Sequence, residues 1–513
     1  MGKRTALAIC FLVLVTGGFF RIMRGESKSY FHMDEAYSYG LMNDSVLNIT
    51  DREDFMGRFH SGEYYLSYLS VEESERGDWT PVYENQKNDV HPPLYYLLLR
   101  IAAMLADKGR FTKWSGLILN LAFWAGSCIL LYLLGRGMTG RREYGCLACF
   151  FGSLTVLAQE TGLYIRMYEM AGFMTLLLVW THWRLKEKWS PGNLAACGAG
   201  LVLAGLTHYY CLIIGAGMWM WLSALWIRKK EYKKLLRYQF CAAGAAIIFL
   251  LLFPWAVFHV FGGYRGVGGS LSLFEWLRKT GAMCLILNRE AFHHTGFLLI
   301  LSIPARHNDE VRKPLSLLVP LLIFYLLIVS RQAPYLEDRY LMPVSGVASL
   351  CMVFAVAGAL QNCMEKRRGL AAAAVVLSGI LLLPGLSPSS LRYEYKGYSM
   401  IAGLAEGEHP DMVYIFDKES NRFLDDIYLF TQCRESYIID YSRMGDRELE
   451  EICGELGDTV WIFCSSGVEA DAVGNLEGWE IKSVQRTNAC SVYLCKRNRT
   501  VGGEYVSYLS SGR

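Results

Sequence analysis

The sequence is short of charge. Asp, Glu, Lys and Arg make up 19% of its 513 residues, against roughly a quarter in ordinary soluble proteins. Its formal net charge of +3 also lacks the basic excess of a nucleic-acid binder. Of its 15 Cys, none stands in a zinc-type spacing with His. Most, among them Cys10, Cys128, Cys149, Cys211, Cys241 and Cys351, lie in apolar runs, where a thiol behaves as a small hydrophobe. Disorder, collagen and coiled coil are excluded, because none tolerates 53% hydrophobic and 13% aromatic residues. What is present is apolar: 31 Tyr, 25 Phe, 13 Trp and a mean hydropathy of +0.21. A polytopic α-helical membrane protein is expected.

Lys3 and Arg4 precede an apolar run from Thr5 to Phe20 that Arg21 ends. The run is short enough for a signal peptide, the alternative, but no small-x-small cleavage site precedes the charged segment, so an uncleaved anchor is expected. Further apolar runs fall near 114–134, 144–158, 168–183, 192–207, 209–227, 239–260, 281–304, 314–330, 340–360 and 369–386. That makes about eleven spans, several shorter than the roughly 20 residues a span usually needs. An odd count puts the chain ends on opposite sides. The connecting segments 135–143, 184–189, 227–238, 305–313 and 365–369 are all rich in Lys and Arg, which places them and the N-terminus in the cytoplasm.

His91-Pro92-Pro93-Leu94 opens a run to Ala106 that is too short to span and contains Arg100. It reads as an interfacial helix at 91–106, with proline at its first turn, inside a long first outer loop at 23–113. Residues 387–513 are more polar. Short apolar stretches at Val413–Phe416, Tyr437–Ile439, Val460–Phe463 and Val492–Leu494 read as strands, and Asp446–Leu456 as a helix. A small extracytoplasmic α/β domain is expected there, after a membrane domain at 1–386. Cys433, Cys453, Cys464, Cys490 and Cys495 lie in it, with no pairing indicated.

Ionisable residues inside a span are costly and usually functional. The middles of these runs hold almost none, and the polar residues of interest gather at expected outer ends. That favours a reaction at the outer face over passage through the membrane. Phe31-His32-Met33-Asp34-Glu35 carries a carboxylate pair suited to general-base or metal-ligand work. His91 is aimed by its prolines. Gln159-Glu160 and Ile165-Arg166-Met167-Tyr168-Glu169 form the second outer loop, where a guanidinium can hold a phosphate through two parallel hydrogen bonds. Thr207-His208-Tyr209-Tyr210 and Asp338-Arg339-Tyr340-Leu341-Met342-Pro343 close the set. Each alone also reads as structural, a helix start or a snorkelling Arg beside interfacial Tyr.

In order, the Asp-Glu pair, HPPLYYLLL, a basic GRR turn, IRMY, THYY and DRYLMP resemble the GT-C membrane glycosyltransferases. The resemblance is to the branch of the protein O-mannosyltransferases and the aminoarabinose transferases of lipid A. It covers roughly residues 1–386, with HPPL and IRMY its most specific parts. It implies a multi-pass enzyme of the plasma (inner) membrane, working on its extracytoplasmic face with a polyprenyl-phosphate-linked sugar donor and a protein, lipid or glycan acceptor. Asp34, with Glu35 beside it, would then be the catalytic carboxylate, and Arg166 and Arg339 would meet the donor phosphate. His32, His91, Glu160 and Tyr168 would line the pocket, together with His208, Tyr209 and Tyr340. The family has members with and without a divalent cation. Asp34, Glu35 and Glu160 are hard oxygen ligands suited to Mg²⁺ or Mn²⁺. The competing expectation is a lipid-linked sugar or polysaccharide transporter without transferase activity.

Overall fold

The computed structural model describes residues 1–28, 31–106, 111–262, 271–385, 409–420, 422–445, 448–468, 471–474, 476–487 and 489–498. The expected domain boundary at 386/387 falls on residues outside that set. By its internal contacts the chain divides into two units. One comprises Met1–Ser29, Ser38–Leu47 and Ser70–Lys396; the other comprises Tyr30–Tyr37, Asn48–Leu69 and Gly397–Arg513.

The first unit is helical. Among the described residues, six helices are long and apolar enough to cross a membrane: Lys3–Ser27, Trp114–Thr139, Tyr209–Arg228, Tyr232–Leu252, Asp309–Gln332 and Asp338–Cys363. A seventh crossing is possible in a bent pair, Arg142–Leu154 and Val156–Leu163, which meet at 57°. Thr155 makes the break by capping the second helix, its hydroxyl accepting the Ala158 N–H at 3.2 Å. Gly140, at φ 75°, ends Trp114–Thr139 in the left-handed conformation and returns its N–H to Arg136 O at 2.8 Å. This lets the basic turn reverse the chain. The expected runs at 168–183, 192–207 and 369–386 lie on helices Tyr168–Glu187, Pro191–Thr207 and Lys366–Gly385.

Three expectations need correction. The run at 239–260 breaks at Pro254, between Tyr232–Leu252 and Ala256–Phe261. The run at 281–304 is not one helix: Leu273–Glu290 stops, His293 and His294 take φ 46° and 64°, and a short 3-10 turn follows. The Asn288 side chain accepts the Gly296 N–H at 2.7 Å, holding that reversal. Finally, Arg21 does not end the first apolar helix, which runs on to Ser27 with Arg21 buried inside it.

Burial sorts the helices. Nearly all of the apolar stretch within Asp338–Cys363 is buried, whereas in Tyr232–Leu252 the buried residues are Tyr238 and Ala245. The first is rich in Gly, Ala and Ser, so neighbours can approach it on every side. The second presents Phe240, Ile247, Ile248 and Leu251 outward, as suits contact with lipid tails. Leu94–Ala106 is a helix, as expected. Its Arg100 is fully buried, donating to Met42 O at 2.9 Å and Glu75 O at 2.6 Å.

The second unit is a six-stranded sheet of order β1-β3-β2-β4-β6-β5. Its strands are β1 (Phe59–His60), β2 (Asp411–Phe416), β3 (Ser436–Asp440), β4 (Thr459–Ser465), β5 (Trp479–Arg486) and β6 (Cys490–Arg497). β2 pairs in parallel with β3 and β4, and the remaining pairings are antiparallel. Val413, Ile415, Ile439, Val460 and Ile462 pack against Leu449, Ile452 and Cys453 of helix Glu448–Leu456. Phe59–His60 of the first loop adds an edge strand beside β3. Cys433, Cys453, Cys464, Cys490 and Cys495 are all free thiols.

Candidate active site

In the first unit, the segments expected to carry chemistry converge. Residues 89–93 precede helix Leu94–Ala106. His91 Nδ1 meets Asp89 Oδ2 at 2.6 Å, and Asp89 is 9% exposed. Burial works to raise the Asp89 carboxyl, but His91 and then Arg166 outweigh it and hold the group below the usual range. Asp89 had no place in the sequence reading. An acid two residues before a histidine in a turn carries no pattern of its own.

From His91 an aromatic chain runs through the unit. The His91 and His208 rings lie 5.8 Å apart, His208 and Tyr168 5.6 Å, His208 and Tyr210 4.9 Å, and Tyr210 and Tyr340 5.8 Å. His208 sits between helices Pro191–Thr207 and Tyr209–Arg228, where its Nδ1 accepts the Tyr210 N–H at 3.1 Å. That bond assigns the proton to Nε2. Burial, with the nearby charges of His91 and Arg166, pushes the His208 pKa well below the ordinary value. His208 is thus a neutral donor at physiological pH. Tyr209 turns elsewhere, its hydroxyl 2.8 Å from His259 Nδ1.

Arg166 is the buried cation of this group, at 4% exposure. Its own N–H bonds Tyr164 O at 2.8 Å in a tight three-residue turn, and its Nη1 donates to Ser38 Oγ at 3.2 Å. Tyr164 and Tyr168 stack on either side of the turn, with ring centroids 5.8 Å apart. Arg339 lies 5.5 Å over the Tyr340 ring, and its Nε pairs with Glu337 at 2.6 Å. Glu160 lies in a group that the sequence did not show. Its carboxylate oxygen and those of Glu290 and Asp338 all lie within 4.8 Å of one another.

His32, Asp34 and Glu35 belong to the second unit. They open helix Met33–Asn43. Glu35 is fully buried and reaches back to accept the His32 N–H at 2.8 Å, while Met33 N–H donates to Asp425 Oδ1 at 2.6 Å. His32 Nδ1 accepts the Asp34 N–H at 3.1 Å. A nitrogen accepting that bond carries no proton, so the 3.7 Å approach of Asp34 Oδ2 to it is not an ion pair. The two carboxylates therefore differ: Glu35 closes the helix start, and Asp34 sits partly exposed in its first turn.

No family model matches the chain, and neither does any curated protein sequence. Solved structures do match. The chain is similar to ArnT from Cupriavidus metallidurans in crystal structures of its apo state and of its complex with undecaprenyl phosphate. For both, the TM-score is 0.50 at 11% identity, covering 98% of this chain and 100% of the other. The likeness is one of fold: the chain folds as ArnT does. Within this fold, the HPPL, THYY and DRYLMP segments meet through the His91–His208–Tyr210–Tyr340 chain of rings, which Tyr168 of IRMY joins at His208.

The Asp89–His91 pair gives a first test. The lowered carboxyl adds stability that is present above the ordinary carboxylate pKa and is lost as pH falls through the folded value. Asp89→Asn removes that contribution. We expect a loss of about 1–3 kcal/mol at neutral pH and a flatter acid limb in melting temperature measured against pH in detergent. An acid limb as steep as that of the unaltered protein would show that His91 does not depend on Asp89.

Proposed function

We propose that the chain is a glycosyltransferase that moves a sugar, with inversion, from a polyprenyl-phosphate donor to an acceptor on the extracytoplasmic face of the plasma membrane. The N-terminus would be cytoplasmic and the tail unit extracytoplasmic, the orientation the basic connecting segments favour. The observation that carries the reading is Arg166, a guanidinium at 4% exposure with His91 and the neutral His208 near it. A planar guanidinium so placed, with two parallel N–H groups, suits the phosphate of a lipid carrier. The undecaprenyl phosphate bound to ArnT supports that choice of donor class.

In the transfer, the bond from the anomeric carbon to the phosphate oxygen breaks and its electrons pass to the phosphate. The acceptor hydroxyl attacks from the opposite face and loses its proton to Asp34. Proton removal by a placed base supplies typically 10²–10⁴-fold. Arg166, with Arg339 as a second cation, offsets the charge growing on the departing phosphate. Positive charge developing on the sugar ring is stabilised as in glycoside chemistry generally.

A divalent cation belongs to this proposal as its less direct part. Glu160, Glu290 and Asp338 would hold it, since one carboxylate oxygen of each lies within 4.8 Å of the others. Their hard oxygens suit Mg²⁺ or Mn²⁺. When bound, the ion supplies positive charge to the anionic donor.

The test is purified full-length protein in detergent given polyprenyl-phosphate sugars extracted from bacterial membranes. Mass spectrometry should show one donor class consumed and polyprenyl phosphate released. Vesicles in which the protein moves such lipids across the bilayer without consuming them would instead establish the transporter. For the cation, we expect chelation to lower turnover and Glu290→Gln to raise the Mn²⁺ concentration that restores half of it. Turnover indifferent to chelator would remove the ion from the reaction.

A further inference from the structure

One charge in the first unit has no part in the transfer chemistry. Arg21 is inside helix Lys3–Ser27 at 7% exposure. A guanidinium buried among apolar helices is costly unless its donors are engaged. Arg21 Nη2 donates to Ala158 O at 2.8 Å, and the guanidinium lies 4.3 Å from the Trp124 ring centroid. Glu169 stands in electrostatic contact with it. A Cβ at Gly162 would lie 3.0 Å from Arg21 Nε and 3.7 Å from Glu169 Oε2. Arg21 thus lies along the helix Val156–Leu163, reaching it at Ala158 and Gly162, on either side of Glu160 in sequence.

That helix has only eight residues, too few to be stable by its own hydrogen bonds. It follows the 57° bend and leads into the turn that carries Arg166. A second buried side chain holds its far end: Asn120 Nδ2 donates to Gly162 O at 3.2 Å and to Tyr164 O at 2.9 Å.

We infer that Arg21 is a positioning residue, which from within the first helix fixes segment 156–167 and so sets the places of Glu160 and Arg166. The inference rests on the proposed role of Arg166, but the contact it describes is independent of that role. Arg21 touches no reacting group. It acts through the backbone carbonyl of Ala158 and through the close approach that glycine at 162 permits.

Two substitutions probe this from opposite sides. Arg21→Met removes the guanidinium, and Gly162→Ala keeps the charge but pushes it away. Full-length protein in detergent is compared by amide hydrogen exchange along the chain, by melting temperature, and by binding of undecaprenyl phosphate. We expect both variants to exchange faster within 156–167 and to bind the lipid roughly tenfold or more weakly, as misplacement of a distant support can cause. Arg21→Lys, which can still donate to Ala158 O, should recover part of the protection. The double variant should be no worse than the poorer single one, because both break the same contact.

Unchanged exchange in 156–167 for both single variants would overturn the inference. So would exchange raised evenly along the chain with a lower melting temperature, which is plain destabilisation. Arg166→Ala is the control for the reading beneath. If it binds undecaprenyl phosphate as tightly as the unaltered protein, the donor-phosphate role fails, and the exchange pattern alone decides the positioning.

Discussion

Replacing Asp34 by Asn is expected to lower sugar transfer roughly a hundredfold or more, with melting temperature and undecaprenyl phosphate binding little changed. Asn keeps the shape and the backbone contacts of the helix start and removes the basic oxygen. If proton removal occurs only in the transition state, kcat and kcat/KM should fall together. The neighbouring acid provides the contrast. Glu35 is fully buried, and its Oε2 accepts the His32 N–H at 2.8 Å. Glu35→Gln should therefore act mainly on stability, by about 1 kcal/mol, with turnover per folded molecule nearly retained. The two effects are measured by donor consumption and thermal unfolding on the same preparations. Transfer unchanged in Asp34→Asn would remove that residue from the mechanism, and a larger turnover loss from Glu35→Gln would exchange the two roles.

The pairing of those acids shows where sequence reading stops. Asp34-Glu35 was legible as a carboxylate pair after an anchor, but which of them is spent on the helix start depends on where the His32 N–H points. The helical fold was largely legible because hydropathy runs follow from the bilayer. Arg21 escaped for the same reason. Hydropathy reads any arginine as the end of a span, and only packing shows this one engaged with Ala158 O. Pro254 and the two left-handed histidines broke runs whose mean composition stayed apolar.

In the second unit, the four expected strand cores fall within β2, β3, β4 and β6. β5 was missed because WEIKSVQR is a largely exposed edge, with no buried face to impress on its sequence. β1, two residues from the distant first loop, was beyond any local pattern. At the site, aromatic and basic motifs announced themselves by composition. Asp89 and Glu290 did not: Asp89 is a single acid in a turn, Glu290 ends helix Leu273–Glu290 within a run read as apolar, and their partners His91, Glu160 and Asp338 are brought to them by the fold.

Arg166 and Arg339 looked equivalent in sequence, and the structure separates them. Arg166 is buried, held by its own turn and by Ser38, with His91 and His208 in electrostatic reach of the same group. Arg339 has 17% of its side chain exposed and is paired at 2.6 Å with Glu337, itself 41% exposed. An exposed partner screens a cation and competes for its donors. Arg166→Ala should therefore lower kcat/KM for the donor on the order of 10²–10³-fold, as loss of one placed donor does in other group transfers. Arg339→Ala should cost markedly less. Arg166→Lys should not restore the loss, because an ammonium offers a point charge where two parallel N–H groups meet a phosphate. Competition by undecaprenyl phosphate separates binding from chemistry: a weaker competitor with unchanged kcat assigns Arg166 to ground-state binding, and equal falls in kcat and kcat/KM assign it to the departing phosphate. Equal losses from the two alanine variants would mean that Glu337 releases Arg339 when the donor arrives, and the ranking by burial would then be wrong.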